Sequence, residues 1–374
     1  MSKILVTGGA GFVGSHLVDA LVEQGHTVTV FDNLEPQVHG TSEGLPDYFN
    51  HDARFIKGDM RDTDALTRVL KGQEVIFHDA AMVGVGQSMY QITRYLDVNT
   101  LGTAKLMELV VEKFRDSVKK IVVASSMSIY GEGLYSCAAC GDIVPALRAD
   151  EQLQQHSWEH RCPQCGAELQ PKPTPESKPL HSTSIYALSK KDQEEMVLML
   201  AQSYGIPAVA LRYFNIYGPR QSLSNPYTGV CAIFSSCLKN DHQPIIYEDG
   251  LQSRDFISVH DIVRANILAM QRPEANFQAI NVGTGQPTTI RDVAQVLAAS
   301  YEKPDAPMIA NQFRSGDIRH CIADISRAKE LLGFEPQVSF ENGMRELVEW
   351  GKQVEAEDRT REAAEELSRR GLAK

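Results

Sequence analysis

The sequence predicts an α/β fold built on a Rossmann-like, doubly wound parallel sheet, and three observations carry that prediction. The first is the run from Lys3 to Asp32: an apolar strand, a glycine-rich turn, a helical stretch and a second apolar strand that ends on an acid. The second is the way strand-like and helix-like segments keep alternating over the first 126 residues, the pattern of a parallel sheet with helices on both faces. The third is size. At 374 residues, with 43% hydrophobic and 23% charged residues, the chain can bury one large core or two ordinary ones.

The first element is Lys3-Ile4-Leu5-Val6-Thr7, followed by Gly8-Gly9-Ala10-Gly11-Phe12-Val13-Gly14. Both Gly9-x-Gly11-x-x-Gly14 and the set Gly8, Gly11, Gly14 fit a turn in which missing Cβ atoms let backbone approach a pyrophosphate. The helix that follows, over 15–24, offers that anion free N–H groups and a positive dipole end. The next strand, Thr27–Phe31, closes on Asp32, which is placed to bind two adenosine ribose hydroxyls and to repel a 2′-phosphate. The expected cofactor is therefore NAD rather than NADP. Candidate contacts are Gly8, Gly11, Phe12 and Val13 at the turn, then Asp32 and Asn33.

A polar stretch over 33–53 precedes a short strand, Arg54-Phe55-Ile56-Lys57-Gly58, which ends at Asp59 and Met60. These two residues suit the adenine edge, although Asp59 could equally cap the helix that starts near Asp62. The strand over 74–78 leads into Asp79-Ala80-Ala81, where small side chains let Ala80 and Ala81 pass close to a cofactor. A long helix is expected over 95–114 and contains Asn99. The strand Lys120–Ser126 ends in hydroxyls.

The pattern breaks over 134–179. Cys137-Ala138-Ala139-Cys140-Gly141 and Cys162-Pro163-Gln164-Cys165-Gly166 are two matched C-x-x-C-Gly knuckles. Four thiolates in this arrangement fit a structural, tetrahedral zinc with no open position for catalysis. A redox pair and a metal-free loop are the alternatives. His156 and His160, between the knuckles, are expected to be solvated rather than ligands.

The sheet resumes over 180–215. There Tyr186 and Lys190, spaced i and i+4, share one face of a helix. The region 216–350 reads as mainly a second, smaller domain, with 260–285 returning to the first. Residues 351–374 read as a charged tail, either a solvated helix or frayed. The net charge of −11 argues against nucleic acid or an acidic membrane as partner. No apolar run is long enough to span a bilayer, and the first strand starts at once, so a cytoplasmic location is expected.

Five motifs then occur in one order: the glycine turn, Ser125-Ser126-x-x-x-Tyr130-Gly131, Tyr186-x-x-x-Lys190, Arg212-Tyr213-Phe214-Asn215 and Arg254-Asp255-Phe256. In this the chain resembles the extended short-chain dehydrogenase/reductase family, and within it the NAD-dependent nucleotide-sugar epimerases and dehydratases. The resemblance covers about residues 1–350 apart from the cysteine insertion. It implies that Tyr186 takes a sugar hydroxyl proton, that Lys190 favours the phenolate and holds the nicotinamide ribose, and that Ser126 hydrogen-bonds the oxygen being oxidised. It implies that Asn99 supports the nicotinamide side. It also implies that Asn215 and Arg254 hold the nucleotide diphosphate, with Arg319 as a further phosphate contact or else a surface ion pair. A homodimer through the helices near 95–114 and 184–204 is a family expectation. Sugar dehydratases of the family carry Asp-Glu just after the catalytic hydroxyl, where this chain has Met127 and Ser128, and that departure favours epimerisation at C4. Within the family, the strand-end motif together with two knuckles is most similar to a bacterial subgroup that epimerises dTDP-L-rhamnose.

Overall fold

The computed structural model describes residues 1–40, 44–304 and 307–373. The polar stretch over 33–53 and the tail to 374 thus each include residues outside the described ones. Seven parallel strands form the central sheet among the described residues. Their spatial order is Gln278–Val282, Ala208–Tyr213, Lys120–Ser126, Val75–His78, Lys3–Thr7, Thr27–Asp32 and Arg54–Lys57. The sheet starts at Lys3–Thr7 and winds outward both ways, so the strand order reverses beside the first glycine turn, where α/β proteins bind ligands.

Both faces of the sheet are covered, which explains why its strands read as unbroken apolar runs. Period-two alternation sends Ile4, Val6 and Val30 to one face, against Leu17, Val18 and Leu21 of the helix Phe12–Glu23 and Ile262 and Ala265 of the helix Val259–Gln271. It sends Leu5, Phe31 and Ile76 to the other face. There they meet Leu66 and Val69 of Thr63–Leu70, Leu106 and Val110 from the long helical segment, and Val197 and Ala201 of Ile185–Tyr204. Each fully buried side chain of this kind stabilises the fold by roughly 1.5–3 kcal/mol.

The helix expected over 95–114 runs from Ile92 to Phe114 and is π-helical over Leu96–Leu101 and Val110–Phe114. The wider first π segment turns Asn99 inward, and such bulges are common near functional sites. Asp261 lies within the first turn of its helix; the N-cap is Ser258, which accepts from His260 N at 3.3 Å.

A second sheet runs in the order Asn215–Tyr217, Ser253–Ser258, His320–Ala323, Gln170–Thr174, Leu134–Cys137 and Gly141–Ile143. Its last three strands come from the cysteine insertion. The insertion is therefore sewn into the smaller domain's sheet: Pro173 and Thr174 pair with Ile322 and Ala323. The charged C-terminal segment also differs from a free tail. It forms a helix, Thr360–Arg369, that buries Ala363 and Leu367. Its polar residues mask a narrow apolar stripe, which composition alone reads as a solvated surface.

Candidate active site

The strand ends and the smaller domain enclose a cleft of about 510 Å³. Gly8 sits at a φ of +71°, a backbone region that glycine tolerates best. A Cβ there would stand 2.8 Å from the backbone of Ala80, and one at Gly14 would stand 2.3 Å from the Gly8 carbonyl oxygen. The turn is thus closed by contacts that only glycine permits. Gly8, Gly11, Phe12, Val13, Asp32, Asn33, Asp59, Met60, Ala80 and Ala81 all line the cleft.

At the end of the second strand, the Asp32 carboxylate accepts from Ala10 N at 3.1 Å and Leu34 N at 2.9 Å. These bonds aim it across the glycine turn. Asp59 is held by Arg61 and Asn33, whose hydrogen bonds pull its carboxyl down to about 2 despite partial burial. The capping alternative falls to a neighbour: Asp62 accepts from Asp64 N and Ala65 N, each at 3.0 Å. The residues present fit NAD: a Cβ-free cradle for the pyrophosphate and a fixed carboxylate for the ribose.

Tyr186 opens the helix Ile185–Tyr204, whose N-cap Ser184 accepts from Ala187 N at 3.1 Å. Its ring packs with Met82 and Tyr95, and its hydroxyl faces Ser126. Burial pushes the Tyr186 phenol up, and the Ser126 hydroxyl opposes that. Ser128 donates to Ser126 Oγ from its hydroxyl at 2.9 Å and from its backbone N at 3.2 Å, so the residue that stands where dehydratases carry an acid orients the Ser126 hydroxyl. Lys190 donates to Ala124 O at 2.6 Å and Gln193 Oε1 at 2.9 Å. Burial pulls its ammonium down to about 8, with Asp79 opposing.

Asp79 lines the same cleft, fully buried, with neither carboxylate oxygen hydrogen-bonded among the described residues. Burial pushes its carboxyl up to about 7, against the pull of Lys190. A carboxyl raised on folding contributes stability below its unfolded pKa near 4 and loses it as pH climbs through 7. Asp79→Asn is therefore expected to raise the melting temperature, by a margin that grows between pH 4 and 7 and levels off above, with a ceiling of about 4 kcal/mol. Melting curves at pH 5 and pH 8 check this; an equal gain at both would refute it.

Three expected contacts fall elsewhere. Asn99 is fully buried behind the cleft and takes no part in its lining. Its side chain accepts from Met82 N at 2.7 Å and donates to Met82 O and Ser189 Oγ at 3.0 and 2.9 Å, so it ties the exit of the strand Val75–His78 to the helix that carries Tyr186. Arg254 also lies off the cleft. Three of its five N–H donors go to the carbonyls of Ser253, Arg319 and Ile318 at 2.7–2.9 Å. Arg319 is 0% exposed and grips Glu159, Glu248 and Asp249 at 2.8–2.9 Å, so it is neither a phosphate contact nor a surface pair.

The arginine that does line the cleft is Arg314, stacked 4.5 Å over the Tyr247 ring and 3.0 Å from Asp317. Its signal was present five residues before Arg319, but nothing local distinguishes the two. Asn215 lines the cleft as expected, and its Oδ1 is buried without a partner among the described residues.

The four cysteine sulfurs lie within 4.8 Å of one another, with Cys137 and Cys165 at 3.5 Å. Tetrahedral zinc with Zn–S bonds of 2.3 Å sets sulfurs about 3.8 Å apart, so the cluster has metal-site dimensions. Gly141 and Gly166 take φ of +81° and +76° just past each knuckle. The backbone N–H groups of Ala139 and Cys140 point at Cys137 Sγ, and that of Ala167 at Cys165. Neither histidine joins the cluster: His156 stacks on Trp158, and His160 is buried 3.0 Å from Glu132 rather than solvated.

Comparison with known proteins agrees with this geometry. A family model described as the NAD dependent epimerase/dehydratase family matches residues 4–147, and one described as GDP-mannose 4,6 dehydratase matches 167–347. A dTDP-L-rhamnose 4-epimerase of Burkholderia thailandensis is 35% identical over 93% of this chain and 94% of its own. The chain belongs to the NAD-dependent epimerase/dehydratase family. Among solved structures, the UDP-glucose 4-epimerase of Thermotoga maritima, with UDP-glucose, superposes with a TM-score of 0.75 at 32% identity, over 94% of this chain and 99% of that one. The UDP-glucose 4-epimerase of Thermus thermophilus, in complex with NAD, gives 0.73 at 28% identity, over 94% and 100%. In this epimerase Ser126, Tyr186 and Lys190 all line the same cleft.

Proposed function

We propose that this epimerase inverts C4 of a dTDP-linked 6-deoxy sugar, interconverting dTDP-L-rhamnose and dTDP-6-deoxy-L-talose. The observation that carries C4 inversion is the pair after the catalytic serine. Met127 is apolar and Ser128 is bonded to Ser126, so neither the acid nor the base that elimination across C5–C6 requires is present there. NAD held by the glycine turn and Asp32 would supply reversible hydride chemistry at C4 and a positive charge that favours the Tyr186 phenolate. Tyr186 takes the proton from the C4 hydroxyl as that carbon becomes a ketone and gives it back when the hydride returns. Ser126 donates to the same oxygen. Lys190 supplies positive potential beside the phenol and a donor for the nicotinamide ribose. Asn215 and Arg314 hold the diphosphate while the keto-sugar swings about it. The segment around Asn225–Phe234 reads the base.

The test is proton NMR of the purified protein with a panel of nucleotide sugars and no added cofactor. The expected result is one equilibrium mixture reached from either C4 epimer of the dTDP-6-deoxy sugar. Conversion of only another nucleotide sugar removes the substrate and keeps the mechanism. Turnover that needs stoichiometric NAD or NADH overturns epimerisation.

We further propose that Cys137, Cys140, Cys162 and Cys165 hold a structural zinc. Metal analysis is expected to return one zinc per chain, and removing it to lower the melting temperature, since structural zinc contributes directly to folding. A metal-free protein of undiminished stability would refute this. A cytoplasmic homodimer completes the reading. No helix among the described residues is long and apolar enough to cross a membrane. Leu101, Leu188 and Met199 are exposed on the two helical segments expected to pair. Light scattering that returns a monomer mass would remove the dimer.

A further inference from the structure

The C-terminal helix Thr360–Arg369 reaches the cleft, where Leu367 is part of the lining. It faces the segment Met82 to Ser88. A Cβ on Gly86 would lie 3.3 and 3.5 Å from the two Leu367 methyl carbons. That segment is fastened to the reacting end of the site. Ser88 Oγ accepts from Tyr186 N at 3.0 Å, Tyr95 OH donates to Val83 O at 3.1 Å, and Met82 packs on the Tyr186 ring. Leu367 therefore stands over the sugar end rather than the adenine end, where Asp32 lies.

The helix is tied down on both sides. Ahead of it, Glu357 N donates to Ser224 Oγ at 3.0 Å, and Asp358 meets His242 at 2.6 Å. Beyond it, the Arg370 guanidinium lies 4.1 Å over the Tyr90 ring, and Ala373 bridges to the backbone at Arg314. A segment anchored this way is a wall of the site.

The chemistry of that wall is apolar. Val83, Gly84, Val85, Gly86, Tyr227 and Leu367 carry no charge, and the one hydroxyl among them, on Tyr227, accepts from Tyr90 OH at 2.7 Å. Val83 and Val85 are 51% and 44% exposed beside a buried catalytic tyrosine, surface that a ligand can cover. A hydroxymethyl or carboxylate pressed against this wall would lose water for at most the Tyr227 hydroxyl proton, whereas a methyl would bury apolar surface.

We infer that the helix Thr360–Arg369 is a wall of the sugar subsite and that Leu367 makes the enzyme select a sugar with a methyl on C5 over one with hydroxymethyl or carboxylate there. This rests on the epimerase reading and extends it to a residue outside the five family motifs.

The experiment measures kcat/KM of the NAD-loaded enzyme and its Leu367→Ala and Leu367→Ser variants on dTDP-L-rhamnose, dTDP-glucose and UDP-glucuronate, with dTDP binding and melting curves alongside. One methylene in an apolar pocket is worth about 10- to 200-fold. The 6-deoxy substrate is expected to lose at least about 10-fold in kcat/KM, with dTDP affinity unchanged and the fold intact at the assay temperature, although melting falls because Leu367 is buried. Leu367→Ala, the milder change, decides if Leu367→Ser melts early. Wild-type activity on the 6-deoxy sugar retained in Leu367→Ala overturns the inference and leaves the epimerase reading standing. So does a wild-type preference for hydroxymethyl or carboxylate sugars. An enzyme that epimerises no nucleotide sugar removes both.

Discussion

Tyr186→Phe is expected to lower kcat by about 10²- to 10⁴-fold, the range a positioned acid–base group contributes. The substitution removes one oxygen and keeps the ring that packs with Met82, Tyr95, Val98 and Ile185. The fold should therefore hold, and melting should shift little. Ser126 loses the phenol it faces but keeps both bonds from Ser128. The glycine turn and Asp32, proposed to hold the dinucleotide, are not touched by the change. The expected signature is thus a large loss in kcat with NAD content and melting near wild type. A variant within about 10-fold of wild-type kcat would show that the C4 hydroxyl proton goes elsewhere. With Tyr186 removed, Ser126 alone is a poor base, because a free hydroxyl gives up its proton only at high pH.

Arg319→Met carries the second large effect, and it falls on stability rather than on substrate binding. Arg319 is fully buried, with Glu159, Glu248 and Asp249 around its guanidinium. Arg148 shares Glu248 at 2.9 Å, so the cluster keeps one cation when Arg319 goes. Glu159 keeps only His320 at 3.2 Å, and Asp249 only the backbone N–H of Leu251 at 2.9 Å. Breaking a buried pair by removing one side typically costs about 3–5 kcal/mol, because an uncompensated charge stays behind. The damage should concentrate where the insertion meets the smaller domain, since Glu159 comes from the insertion and Asp249 from the loop before the strand Ser253–Ser258. The measurement is a melting curve beside KM for the nucleotide sugar. The expected pattern is a drop of several degrees with KM unchanged. A raised KM with unchanged melting would return Arg319 to the phosphate-binding role that its motif first suggested.

The sequence by itself determined the parts whose physics is local. The glycine turn, the acid at the end of the second strand, the Tyr186–Lys190 spacing and the paired cysteine knuckles are each set by neighbours a few residues away. Their geometry follows from strand, turn and helix periodicity, and the structure brings those residues together as that periodicity requires. What only the tertiary structure decided are the roles of groups whose partners are distant in the chain. Arg319 meets carboxylates 70 and 160 residues away, and Arg254 meets carbonyls 64 and 65 residues away. Arg314 alone of the three faces the cleft. Three arginines read alike in a sequence, because a guanidinium's role depends on the acceptors that surround it. The same holds for the last helix. Its charged composition reads as a solvated surface, and only its packing against residues near Gly86 makes Leu367 part of the site.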